Sequence, residues 1–124
     1  MYEGFRAYLV FNSRDILGPF TPTQAAPATS KIPSCHAEVA AIKHGIMLKR
    51  DIKSATLVMT RWHFDKQLDD WVLTDGIPCR SCLEFSISLV GRFVVSNSNG
   101  SLTRISNEQL EERSRPSTGM LYGR

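Results

Sequence analysis

Residues 55–60 read ATLVMT, an apolar run with β-branched residues that is too short for a helix of its own and predicts a buried strand. Helical stretches bracket it. From His36 onward, Val39, Ala40, Ile42, Ile46 and Met47 recur at spacings of three and four, and Lys49 and Arg50 close the helix. Downstream, residues 79–90 predict a second helix, preceded by Pro78 and ended by Gly91. A strand held between two helices needs right-handed crossovers to its neighbours, which predicts a sheet with a mostly parallel centre.

The flanks add hairpins. Residues 5–11 (FRAYLVF) predict a strand, Asn12 to Asp15 a polar turn, and residues 16–20 the returning strand. Prolines then mark residues 21–34 as irregular, and residues 61–77 read as a polar excursion broken by Trp71, Val72 and Leu73. Near the end, residues 93–96 and 102–105 predict two strands, and Asn99-Gly100 between them signals a type I′ turn. That connection is too tight for a crossover, so these strands must be antiparallel. Residues 107–113 read as a short helix and residues 115–124 as a loop. The expected fold is α/β: a layered, mixed five-stranded sheet with helices packed on it and a closing antiparallel hairpin. One domain spans 1–124, with a hairpin and irregular loop over 1–34, a core over 36–105, and a short helix and tail over 106–124.

Composition narrows the class. With 124 residues, 42% hydrophobic and 22% charged, the chain has enough apolar content for one core and is neither disordered nor a disulfide scaffold. No run approaches the ~18 apolar residues of a membrane span, and the first ten residues lack a signal-peptide pattern, so a cytoplasmic protein is expected. Fifteen basic residues against twelve acidic ones are a mild excess rather than a nucleic-acid signature. Lys43, Lys49, Arg50 and Lys53 cluster where cations complement a helix C-terminus; the other reading is a footprint for a polyanion. Three cysteines cannot all pair within one chain, and Cys79 and Cys82 stand at C-x-x-C spacing, which suggests metal or redox chemistry.

Both predicted helices open with metal-competent residues. Cys79 and Cys82, three apart, share one face of a first turn, where the helix dipole favours thiolates. His36 offers a neutral nitrogen at the start of the other helix. Two sulfurs and one imidazole leave a tetrahedral zinc ion with an open position, the mark of a catalytic site. Glu38, two residues from His36, can stand over that position and move a proton between an activated water and a substrate. Cys35 reads as a small buried thiol, because the ligand must lie two residues before the glutamate.

His36-Ala37-Glu38 and Pro78-Cys79-Arg80-Ser81-Cys82 resemble the H-x-E…P-C-x-x-C signature of the zinc-dependent cytidine/deoxycytidylate deaminase-like superfamily. The resemblance runs from His36 to about Ile105. It implies one zinc ion per chain held by His36, Cys79 and Cys82, with Glu38 as the proton shuttle. The closing hairpin is similar to the branch of nucleoside deaminases, plant RNA-editing domains and bacterial toxin deaminases. The implied activity is hydrolytic conversion of a cytosine-type amine to the uracil-type carbonyl, with ammonia released, on a nucleoside or nucleotide. The alternatives are a deaminase acting on RNA or DNA and a non-catalytic zinc-stabilised binding domain. Family members usually carry an asparagine in the loop before the H-x-E helix, and residues 21–34 hold none.

Candidate substrate contacts are the backbone near Ala37 and four ring-bearing residues, Phe20, Trp62, His63 and Trp71, each of which could instead be ordinary packing. Thr74 and Asp75, leading into Pro78, could line the same pocket. The family's first helix is absent, since the chain opens directly into a strand. Two helices sharing one face leave the other face open, so a homo-oligomer is expected.

Overall fold

The computed structural model describes residues 3–21 and 37–114. Cys35, His36 and the proline-rich segment before them lie outside the described residues, as does the tail predicted to be a loop. Strand β1 (Glu3–Asn12) turns through Ser13 and Arg14 into β2 (Asp15–Phe20). Helix α1 (Ala37–Met47) follows, then a single 3-10 turn at Ile52–Ser54 and strand β3 (Thr56–Asp65). Strand β4 (Asp70–Thr74) pairs with β3, and α2 (Arg80–Ile87), β5 (Arg92–Ser96), β6 (Leu102–Ile105) and α3 (Asn107–Arg113) complete the chain.

The α/β class expected from the residues is observed, with a six-stranded mixed sheet in place of five strands. Its order is β2-β1-β3-β5-β6, with β4 on β3 outside this path. Only β3 and β5 run parallel; β1 is antiparallel to β3, so the expectation of a mostly parallel centre is corrected. The reason is the opening hairpin. Its first strand, not its second, takes the place beside β3, and that reverses the direction.

The extra strand comes from residues read as a polar excursion. Arg61, His63 and Asp65 alternate with Trp62 and Phe64, a period-two pattern whose apolar members occupy one face. That stretch prolongs β3 beyond Thr60, pairs with residues 3–6 of β1, and turns at residues 66–69 into β4. Asp65 Oδ1 accepts the Gln67 and Leu68 amides inside the turn, and Asp69 takes the left-handed conformation at φ 51°.

The closing hairpin is antiparallel, as its short connection required. Its turn differs from the type I′ expectation. Gly100 N–H donates to Asn97 O, and only Gly100 has positive φ (88°), so the turn centres on Ser98 and Asn99, with Gly100 as the left-handed residue that follows. A glycine supplies that conformation without a Cβ penalty. Helix α3 forms as expected, opened by a reciprocal capping box between Ser106 and Gln109.

Strand alternation sorts the core. Ala7, Leu9, Leu57, Met59, Phe93, Val95 and Ile105 share one face of the sheet and are buried with Ala41 and Ile42 of α1, Leu83 of α2 and Leu110 of α3. The other face carries Tyr8, Val10, Val58, Trp62 and Leu73, only partly buried, and the exposed Ile16 and Leu102. The described helices therefore cover one face, as expected of an open layered sheet. No helix among the described residues is long and apolar enough to cross a membrane.

Helix α1 ends two residues earlier than the cationic pair suggests. Arg50 N–H returns to Gly45 O and Lys49 N–H to Ile46 O, a Schellman ending with Lys49 left-handed at φ 57°. Arg50 then pairs with Asp15 and lies 4.0 Å over the Phe11 ring, pinning this helix end to the first hairpin. Helix α2 is also shorter than residues 79–90, because Cys79 is its N-cap and residues 88–90 leave the helix.

Candidate functional site

A fork in the sheet sets the path of the chain into α2. On one edge β3 pairs with β5 as far as Met59, and from Arg61 onward with β4. Ser96, fully buried at the end of β5, fills the fork. Its hydroxyl donates to Thr74 O at 2.6 Å and accepts the Arg61 N–H at 3.1 Å. The Gly76 N–H donates to Ser96 O at 3.0 Å. A Cβ on Gly76 would lie 2.4 Å from Met59 O, so only glycine allows so close an approach of the two backbones. Arg61 completes the anchor, its Nε donating to Asp75 O at 3.2 Å and its Nη2 reaching Ile77 O at 3.5 Å. Residues 74–77 are thus held immediately before Pro78 and Cys79.

Cys79 is the extended N-cap of α2 and Cys82 its third helical residue, the two positions whose side chains meet in a capping box. Here sulfur replaces that hydrogen-bonded pair, and the two Sγ atoms stand 3.3 Å apart. Glu38, in the first turn of α1, is 2% exposed and acts directly on Cys82. The Cys82 thiol is pushed far above the ordinary thiol range, first by its hydrogen bond with Cys79, then by burial and by the negative charge of Glu38. Glu38 and the two cysteines, 41 and more residues apart in sequence, therefore share one locale where α1 and α2 meet.

The donor chemistry suits zinc. Two Zn–S bonds of ~2.3 Å at a tetrahedral angle separate their sulfurs by ~3.8 Å, so the observed pair accommodates a shared ion after a shift of about half an ångström. A cation also offsets what burial and Glu38 impose on Cys82, since coordination deprotonates a thiol. Among the described residues no three of His, Cys, Asp and Glu form a metal-binding group. His36, the third ligand implied by the resemblance, lies outside them, one residue before the start of α1.

The remaining candidates separate. Ala37, buried, is the first residue of α1. Phe20 packs against the core, its ring 5.3 Å from that of His44 in the last turn of α1. Trp62 lines an apolar groove on the open face with Tyr8, Val58 and Leu73, and its Nε1 donates to Thr60 Oγ1. Trp71, 43% exposed, packs edge-on against Phe64 on that same face. Both tryptophans are thereby carried to the side of the sheet away from α1 and α2, because Trp62 and Phe64 alternate with residues that face the helices. Of the basic cluster, Lys43 lies within α1, about 7.5 Å from Glu38 at 1.5 Å per residue, and Lys49, Arg50 and Lys53 lie beyond the far end of that helix.

Residues that the sequence reading passed over define a second feature beside the sulfur pair. A cavity of about 530 Å³ is lined by Arg61, His63, Thr74, Asp75, Ile77, Ser98 and Arg113. Thr74 and Asp75 were expected to line a pocket, and they line this one. His63, one of the ring-bearing candidates, lines it as well, whereas Arg61 was legible only through the alternation of residues 61–65. Arg113, brought from the end of α3, carried no local signal. Comparison of the chain with protein-family models, curated protein sequences and solved structures returned no match.

Proposed function

We propose that the protein is a zinc-dependent hydrolytic deaminase that converts a cytosine-type amine to the corresponding carbonyl on a nucleoside or nucleotide. The observation that supports this reading is the meeting of both motif halves: two sulfurs at the N-terminus of α2 against a buried glutamate in the first turn of α1. His36, Cys79 and Cys82 would hold the ion. Zinc, when bound, supplies an acidified water as nucleophile. Glu38 would take one proton from the attacking water and give it to the ring nitrogen, where it stays, and would then take the water's second proton and give it to the departing amine, which leaves as ammonia. Burial keeps the Glu38 carboxyl out of bulk water beside the two sulfurs. Backbone groups beside Ala37 and Cys79 orient the base.

Ammonia release across cytidine, deoxycytidine, their monophosphates, adenosine, guanine and single-stranded oligonucleotides tests the activity. Glu38→Gln should keep zinc but lower turnover at least ~10²-fold, the usual contribution of a general acid–base. Undiminished ammonia release from that variant would overturn the mechanism, and zinc-loaded protein inert toward the whole panel would favour a non-catalytic zinc domain. The polynucleotide reading has less support, since Trp62 and Trp71 lie on the open face away from Glu38 and the sulfur pair; salt-sensitive binding of oligonucleotides tests it.

The reading includes a homo-oligomer. A second copy is the proposed cover of the open face, where the groove of about 380 Å³ between β1–β4 and β6 is lined by apolar side chains and by Thr60, with no charged residue. Light scattering at micromolar concentration should return a multiple of 13.9 kDa, and a monomeric mass would remove this part of the reading.

A further inference from the structure

We propose that the cavity between the β3–β4 fork and the end of α3 is an anion subsite that takes the phosphate of a phosphate-monoester substrate. The inference rests on the deaminase reading and narrows its substrate class from nucleoside to nucleotide.

The lining carries the case. Two guanidinium groups, Arg61 and Arg113, an imidazole, His63, and two hydroxyls, Thr74 and Ser98, surround about 530 Å³. They come from β3, β4, the β5–β6 turn and α3, so the fold and not a local sequence run brings them together. The fork-shaped guanidinium of Arg113 matches the oxygens of a phosphate, Arg61 adds positive charge from a position fixed by its bonds to the Asp75 and Ile77 carbonyls, and hydroxyls complete such a shell. One carboxylate, Asp75, shares the rim. Its Oδ1 accepts the amide and hydroxyl of Ser98, both at 3.1 Å, and its Oδ2 stands 3.7 Å from Arg113 Nη2. That last contact is an ion pair longer than a hydrogen bond, so Asp75 holds Arg113 at the rim by charge.

Position supplies the second half. Ile77 lines the cavity and precedes Cys79 by two residues, so their Cα atoms are at most about 7 Å apart. One wall of the cavity therefore lies within the length of one nucleotide of Cys79. Arg61 joins the two features through its bonds to the carbonyls of Asp75 and Ile77, the segment that forms the cavity wall and leads into Pro78.

The test uses the zinc-loaded full chain. Inorganic phosphate, titrated at constant ionic strength against chloride, should move the backbone amide signals of Thr74, Asp75, Ser98 and Arg113. Calorimetry should find cytidine 5′-phosphate bound at least tenfold more tightly than cytidine. Arg113→Gln, at an exposed position, should abolish that tenfold preference and leave cytidine binding unchanged, while Arg113→Lys retains part of it; circular dichroism verifies that both variants fold. Phosphate-induced shifts elsewhere or nowhere, equal binding of the two ligands, or a preference untouched by Arg113→Gln would each overturn the subsite. The two readings fail separately. Amide shifts with phosphate but no ammonia from any base would sink the deaminase and leave the anion site, whereas equal turnover of nucleoside and nucleotide, unchanged by Arg113→Gln, would sink the anion site alone.

Discussion

Removal of the Ser96 hydroxyl tests the sheet fork that positions the cysteine loop. In Ser96→Ala the fully buried side chain loses one donated bond, to Thr74 O, and one accepted bond, from the Arg61 N–H. Alanine fills the same space without a polar atom, so both backbone groups are left without their partner in a region that β4 and β5 close off. At about 1–3 kcal/mol for each orphaned group, and in the lower part of that range because both bonds are only part-buried, the loss is about 2–4 kcal/mol. Urea unfolding at equilibrium measures it. With a slope of about 1.5 kcal/mol per molar for a chain of this size, the midpoint should fall by about 1–3 M with the slope unchanged. Ser98→Ala is the control, because Ser98 is exposed and its replacement should stay within about 0.5 kcal/mol of the parent. A Ser96→Ala midpoint indistinguishable from that of the control would refute the fork as an anchor.

Two further substitutions probe backbone conformation. Lys49→Gly relieves a left-handed residue at φ 57°, a gain of ~1–2 kcal/mol that the more flexible unfolded chain offsets by ~0.4–1 kcal/mol, so thermal unfolding should show a net stabilisation of ~0.5–1 kcal/mol. Gly76→Ala pushes a methyl group to within 2.4 Å of Met59 O and 2.8 Å of Ser96 Oγ, where backbone must yield, and should cost at least ~2 kcal/mol together with most of the zinc uptake measured by atomic absorption.

Much of this architecture can be read from local chemistry. The ATLVMT run, the spacing of Ile42 and Ile46, the Ser106–Gln109 cap and the short link after β5 each specify their element through interactions of a few residues. The motif pair also stands in plain view, because a C-x-x-C at a helix start puts two sulfurs on one face wherever that helix later packs. Residues 61–65 misled for a physical reason. Their polar members face the helix side, where the described structure has a cavity in place of core, so an ordinary amphipathic strand looked like a loop.

By itself, then, the order of residues determined most of the helices and strands, with residues 61–65 and 70–74 as the exceptions, that the last two strands are antiparallel, and that the sulfurs of Cys79 and Cys82 neighbour each other. Those outcomes depend on backbone geometry over a few positions. Only tertiary structure decided which strand of the first hairpin lies beside β3, that Glu38 faces Cys82, that Trp62 and Trp71 leave the helix side, and that Arg113 reaches the wall built by Arg61 and Thr74. Each of these joins residues far apart along the chain, and such meetings are set by how buried faces pack as a whole, a choice that no short stretch of sequence contains.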